Sequence, residues 1–487
     1  NDDWAYAMSA RSLANGMFPW TDWQGVPLLS QAFWGALWIK LFGFSFLTLR
    51  VSMLLIASLG MWYLFRIISM YSSKAFAAVV ALLFFLHPVS IHLSVSFMTD
   101  VFALSISLGL TFHLTKLEMK NHSRIDIWMA ILFLMIGVLC RQTVLIIPIA
   151  FLIASFLKRG IQQTMLHPVT LILGSGIGIL LIHDLLLALL NNPPHTYGYQ
   201  LGMLREAISN PISRMPHFLN YMLGTIVFAG WLLLPFGWLR LKRISPAETA
   251  VFCGLFILHA IRRLTLDTFW PGTADVLHPN GVGPWLFPGF NSNELAEGSL
   301  MQWCLPVFVA IGMLSFVQRI AKVDWRSPLL WIFILGILPF AFVYLSDRYV
   351  WFASCFLLIA FLHGSKTEIT ISKPLILWVS TVFVLTVLLN HTYFTMRRTH
   401  WEVASEWMTK QGDRVNGGFE FNAWHRFRMD GYNGERPENS WAGEDEYRIT
   451  PVNHVVGYRK IGAESIDGFS WPHDSVYVHQ RVTGIGR

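Results

Sequence analysis

Apolar runs long enough to cross a bilayer recur along most of this chain, and no water-soluble core could bury so many of them. Residues 45–69, 74–91, 100–118, 126–140, 142–157, 168–190, 220–240, 247–264, 300–318, 328–345, 348–363 and 374–392 read as membrane spans. A helix needs roughly 17–25 mostly apolar residues to cross, and 126–140 is the shortest of the set. Charged residues make up 13% of the chain, against roughly a quarter in soluble domains, and the mean hydropathy is +0.49. The chain therefore reads as an all-α polytopic membrane protein with about twelve transmembrane helices.

Two shorter stretches precede the first span. Residues 2–16, ending at Gly16, and 27–42, ending at Gly43, read as interfacial helices of a first external loop covering 1–44. No initiator Met or signal-like segment stands ahead of Asn1, so a further transmembrane helix is expected before it. The transmembrane domain then runs over 45–393. From about Thr395 the composition turns polar, and 394–487 reads as a small extracytoplasmic α/β domain. Its helix is expected at Trp401–Gln411, and its strands at Gly417–Trp424, Tyr447–Val452, Val455–Ile461 and Ser475–Val482.

Alternating the loops between two sides collects Arg66, Lys74, Lys116, Lys120, Arg124, Lys158, Arg159, Arg240, Lys242, Arg243, Arg319, Lys322, Arg326, Lys366 and Lys373 on one side, which is cytoplasmic by the positive-inside rule. The opposite side receives Asp2, Asp3, Asp100, Arg141, Asp347, Arg348, the loops 191–219 and 265–299, and the tail. The net charge of +7 suits anionic lipid headgroups, and no nucleic-acid signature competes with that. Cys140, Cys253, Cys304 and Cys355 lack CxxC spacing and read as small buried hydrophobes. No Walker A, GxSxG, HExxH or strand-linked GxGxxG motif is present, which argues against a soluble nucleotide-driven enzyme.

Chemistry then falls to charged residues at the membrane edge. Asp2 and Asp3 open a helix and Asp100 opens a span on the same side; each could be a helix cap, a general base or a cation ligand. Arg141, between two apolar runs, and Arg348 are candidates for holding a phosphate, with snorkelling as the plainer alternative. His87 and His92 read as interface residues, because two histidines around Pro88 make a poor metal pair. The carboxylates would suit a divalent cation without specifying one.

Asp2-Asp3-Trp4-Ala5-Tyr6, Ala10 to Gly16, Pro27-Leu28, and Lys40 to Ser45 with Arg50 resemble the first external loop of C-type polytopic glycosyltransferases. The nearest branch is the bacterial relatives of dolichyl-phosphate-mannose protein mannosyltransferases and lipid A aminoarabinose transferases. Met98-Thr99-Asp100-Val101 resembles that family's second acidic motif and Arg348-Tyr349 its late Arg-Tyr, so the resemblance covers roughly residues 1–365. It implies a glycosyltransferase in the bacterial plasma membrane, its site facing the periplasm or exterior. The reaction would move a sugar from a polyprenyl-phosphate donor to a lipid, glycan or protein acceptor, with inversion. Asp2 would be the base, Asp3 its acidic neighbour and Asp100 the second carboxylate. Arg141 and Arg348 would hold the donor phosphate, with Tyr6 and Tyr349 as further substrate contacts. Where some relatives carry Lys before the proline that opens the second interfacial helix, Val26 precedes Pro27 here. A transporter or flippase is the alternative, although ionisable groups gather at one side and not at mid-span. A non-catalytic scaffold presenting its tail is a third reading.

Overall fold

Inside a bilayer a lone segment can satisfy its backbone polar groups only as a helix, and each of the predicted stretches coincides with helix. The computed structural model describes residues 3–17, 26–119, 123–189, 202–203, 205–236, 245–266, 276–278, 281–282, 300–341, 346–364, 373–426, 446–467 and 474–482. Helices α1 (Asp3–Ala14) and α2 (Leu29–Phe42) come first. Then follow α3 (Phe46–Ile68), α4 (Lys74–Phe85), α5 (Pro88–Ser94), α6 (Thr99–Glu118), α7 (Arg124–Val138), α8 (Ile146–Arg159), α9 (Ile161–Met165) and α10 (Pro168–Leu189). The second half holds α11 (Pro211–Leu233), α12 (Pro246–Leu266), α13 (Leu300–Ile320), α14 (Pro328–Ala341), α15 (Asp347–Gly364), α16 (Lys373–Gln411) and α17 (Gly418–Arg426).

Among the described residues, five helical segments are long and apolar enough to cross a membrane: Phe46–Ile68, Gln142–Arg159, Pro168–Leu189, Pro211–Phe236 and Leu375–Arg414. Their outer faces leave large side chains such as Leu171, Leu181, Leu189 and Leu377 more than half exposed, which water would not tolerate over so wide an area. The chain is a multi-pass membrane protein. The expected single span 74–91 is instead broken, with α4 and α5 bent by 70°. Pro88 cannot continue α4, and His87, in extended backbone, turns its Nδ1 to accept the Val89 N–H at 3.3 Å and starts α5.

Helix α6 is buried along nearly its whole length. Small residues let its neighbours approach: a Cβ on Gly60 of α3 would meet Ser105 Oγ at 2.4 Å, and one on Gly109 would meet the Phe133 ring of α7 at 2.7 Å. Sealing α6 on all sides buries whatever its first turn presents, and that turn carries Asp100. Helix α1 is likewise packed inward, with Trp4, Ala5, Ala7 and Ala10 all buried.

Helix α16 spans 39 residues, about 58 Å at 1.5 Å per residue and well beyond a hydrocarbon core of about 30 Å. Its distal half enters the C-terminal core, where Met396, Val403 and Ala404 pack with Val415, Phe421, Ile449, Val476 and Val478. The sheet there has strands β3 (Val415–Asn416), β4 (Tyr447–Thr450), β5 (Tyr458–Ser465) and β6 (Ser475–Arg481), numbered after a two-residue hairpin of β1 (Leu277–His278) and β2 (Gly281–Val282). The strand order is β3-β4-β6-β5, parallel at β3/β4 and antiparallel elsewhere.

The helix expected at Trp401–Gln411 is the end of α16, and the strands near 447 and 475 are present. The strand expected at Gly417–Trp424 is a helix. Asn416 Oδ1 accepts the Gly418 N–H at 2.9 Å and the Asn422 Nδ2–H at 2.8 Å, so local side-chain bonds start α17 before any sheet partner competes. The strand expected at Val455–Ile461 begins later, at Tyr458, because Gly457 turns the chain at φ +80°. Cys140 and Cys355 are buried as expected, Cys253 is exposed, and the side chain of Cys304 lies outside the described residues.

Helices α11 and α13 touch at two glycines, where a Cβ on Gly230 would sit 1.8 Å from the Gly312 carbonyl oxygen. Gly230→Ala must push the backbones apart, and a loss of about 1–3 kcal/mol is expected. Gly254→Ala, with open space around it, should leave thermal stability unchanged or raised. Thermal unfolding of both variants in detergent checks this; equal midpoints would contradict the close approach.

Candidate active site

Asp3 opens α1, where a carboxylate suits the helix N-terminus. It does more than cap: Oδ1 accepts the backbone N–H of Phe97, and Oδ2 faces Arg50 Nη2 of α3 at 3.9 Å. Gln31 of α2 takes the same turn from the other side, Nε2 donating to the Phe97 carbonyl at 2.9 Å. The first loop thus grips residue 97, three positions before Asp100.

Asp100 is fully buried, and its Oδ1 accepts from Arg141 Nη1 at 2.8 Å. Its Oδ2 faces Arg348 Nη1 at 3.8 Å. Both guanidiniums lie over the Tyr349 ring, at 5.0 Å for Arg141 and 5.3 Å for Arg348, and Arg141 Nη2 donates to the Tyr349 hydroxyl at 3.4 Å. Tyr6 of α1 is within electrostatic range of Arg141. One buried carboxylate thus faces two guanidiniums, whose forked donors are of the kind that bind anions.

Backbone geometry fixes both arginines. Leu28, buried and in the left-handed region at φ 57°, donates its N–H to the Cys140 carbonyl at 3.2 Å, next to Arg141. Such a conformation is costly for a bulky residue and persists only where burial and hydrogen bonds over-determine it. Beside Arg348, the Asp347 carboxylate accepts the Val276 N–H at 2.9 and 3.1 Å, tying residue 276 of the 265–299 loop to α15.

A cavity of about 510 Å³ opens on the other side of Asp3. Arg50, His92, Arg397, Trp401 and Glu420 line it with Asp3, so α1, α3, α5, α16 and α17 all contribute. Helix α17 is held over it by Arg397, which donates to Glu420, and by Trp424, stacked on Phe44 at 6.1 Å and edge-on to Phe46 at 5.1 Å.

Asp3, Asp100, Arg141, Arg348, Tyr6 and Tyr349 therefore gather around the Phe97–Asp100 turn and the start of α15. Asp2 lies outside the described residues, as do Tyr197, Tyr199, Trp270, Trp285 and Phe287 of the long loops. Among the described residues no group of three His, Cys, Asp or Glu could hold a metal ion, and the oxygens of Asp3 and Asp100 face N–H donors and guanidiniums.

Residues 27–186 match the family model of the dolichyl-phosphate-mannose-protein mannosyltransferases. Over these residues the chain is similar to that family. The mannosyltransferase-like segment takes in Asp100 and Arg141 and leaves out Asp2, Asp3 and Arg348. No curated protein matches the chain. Two solved structures of ArnT from Cupriavidus metallidurans, one bound to undecaprenyl phosphate and one in the apo state, resemble it at 12% identity and a TM-score of 0.40. They cover 100% and 98% of this chain and 95% and 93% of their own. Similarity at that score establishes neither a common fold nor a common ligand.

Sequence reading left Arg397 and Glu420 unmarked, named Arg50 only within a motif, and placed His92 at the interface, whereas His92 is 2% exposed. The signal for Arg50 was the one that marked Arg141: a cation inside an apolar run.

Removing the shared carboxylate strands buried cations. Asp100→Leu is expected to cost about 3–5 kcal/mol, and adding Arg141→Leu should restore part of it. Thermal unfolding of both variants tests this; a double variant no more stable than Asp100→Leu would rule out the pairing.

Proposed function

We propose that the chain is a glycosyltransferase that moves a sugar from a polyprenyl-phosphate donor to an acceptor hydroxyl or amine on the outer face of a bacterial plasma membrane. The observation that carries the reading is the buried cluster in which Asp100 faces both Arg141 and Arg348, part of it within the segment similar to the mannosyltransferases. Arginine's forked donors match phosphate oxygens, so Arg141 and Arg348 bind the donor phosphate and stabilise the charge it gains on leaving. Asp100 positions both arginines. Tyr349 braces them from below, and Tyr6 adds a contact to the sugar or phosphate.

In the reaction the acceptor oxygen or nitrogen attacks the anomeric carbon. The new bond forms as the bond from that carbon to the phosphate oxygen breaks, and the electron pair departs on the phosphate. Asp2 takes the acceptor's proton, with Asp3 beside it engaged by Phe97 and Arg50. One displacement inverts the anomeric centre. The first loop, residues 1–44, and the domain 394–487 both face the outer side in this reading, where the donor's headgroup lies.

One observation favours a transporter: the 70° break between α4 and α5, since transporters often bind at broken helices. Against it, the described charged cluster sits at helix starts. Reconstitution of the full chain in proteoliposomes with a panel of polyprenyl-phosphate sugars, supplied with cell-envelope extracts as acceptor, decides between them. Sugar release is expected from wild type, lowered roughly 100-fold or more in Asp2→Asn. Release unchanged by Asp2→Asn would remove Asp2 as base, and flux without release would favour the transporter.

A further inference from the structure

The cavity beside Asp3 has a wall chemistry of its own. Trp4, Phe46, Tyr393 and Trp401 give it aromatic faces, and Arg50 with Asp3 and Arg397 with Glu420 set two ion pairs along it. Arg398, also on the wall, pairs with Glu402 at 2.9 Å. Among the described residues each charged group on this wall therefore has an oppositely charged neighbour.

His92 is the most buried ionisable side chain on that wall. It is 2% exposed and lines the cavity, and among the described residues the Asn390 amide is the one polar side chain that reaches its ring. Its ring stacks on Phe394 (6.1 Å, 17°) and meets Tyr393 edge-on at 5.0 Å. Asn390 lies beside it with Nδ2 committed to the Thr386 carbonyl at 3.0 Å. Asn390 can serve one ring nitrogen, and a buried imidazole with the other left unmatched costs free energy that a ligand hydroxyl would recover.

We propose that this cavity binds a neutral sugar unit of the acceptor, so that the acceptor is a glycan, with His92 as the contact that reads one of its hydroxyls. This rests on the glycosyltransferase reading and narrows its acceptor class. Sugar rings present apolar C–H faces, which pack on aromatic side chains, and hydroxyls in their plane, which suit paired carboxylates, guanidiniums and an imidazole. A volume of about 510 Å³ is in the usual range of roughly 300–1,000 Å³ for ligand pockets. Asp3 belongs to the wall, which brings a bound hydroxyl to the acidic end of α1. Arg397, Trp401 and Glu420 come from α16 and α17, so the C-terminal region supplies half of the pocket.

Binding is measured without donor, by saturation-transfer NMR on the full chain in nanodiscs. Mannobiose, cellobiose and chitobiose serve as neutral probes and glucose 1-phosphate as the anionic one. At least one neutral disaccharide should bind wild type, about tenfold more weakly in His92→Phe and in Trp401→Leu, with His92→Asn retaining part of the affinity. His92→Phe keeps the ring volume, and a thermal midpoint near wild type separates a lost contact from lost folding. Binding of glucose 1-phosphate alone, binding indifferent to both variants, or no binding of any probe would each overturn the proposal. Sugar binding together with an absence of sugar release from every polyprenyl-phosphate donor would instead overturn the glycosyltransferase reading.

Discussion

The Asp100 carboxylate between Arg141 and Arg348 is the interaction on which the rest depends. Three charges inside a helical membrane protein carry a desolvation penalty of several kcal/mol each, and only close pairing offsets it. Here one carboxylate is shared by two guanidiniums, at 2.8 Å from Arg141 and 3.8 Å from Arg348.

Holding that cluster requires three distant parts of the chain to meet. Helix α6 supplies Asp100 and is sealed by neighbours packed against Gly60 and Gly109. Arg141 follows α7 and is fixed through its neighbour Cys140, whose carbonyl meets the strained Leu28 backbone. Arg348 opens α15 beside Asp347, itself bound to Val276. The first loop then locks residue 97 through Asp3 and Gln31, and the C-terminal helix α17 lies over the loop through Trp424 and Phe44. Loop, bundle and tail therefore meet around one turn.

Much of this was legible in the sequence because membrane helices are specified by local composition. Among the described residues the apolar stretches are largely helical, five segments being long and apolar enough to cross a membrane, and the rule that singles out intramembrane arginines drew Arg141 and Arg348 from the sequence. Their shared partner was not legible, since Asp100 lies 41 residues from Arg141 and pairing at that distance leaves no periodic trace. The break at His87-Pro88 was missed because hydropathy is blind to a backbone donor lost within an apolar run. Gly417–Trp424 was misread because alternating Phe419 and Phe421 suggest a strand, while the Asn416 and Asn422 bonds that begin α17 depend on side-chain geometry. His92 was undervalued because burial by Tyr393 and Phe394, some 300 residues away, cannot be seen from its neighbours.

The central claim is that the cluster of Asp100, Arg141 and Arg348 recognises a lipid-borne phosphate. Its most direct test is native mass spectrometry of the full chain with a long polyprenyl phosphate and with the matching polyprenol, comparing wild type with Arg348→Gln, the less buried of the two arginines. The account predicts that wild type retains the phosphate in preference to the alcohol, and that Arg348→Gln loses about tenfold of that preference or more. Equal retention of phosphate and alcohol by wild type would contradict it.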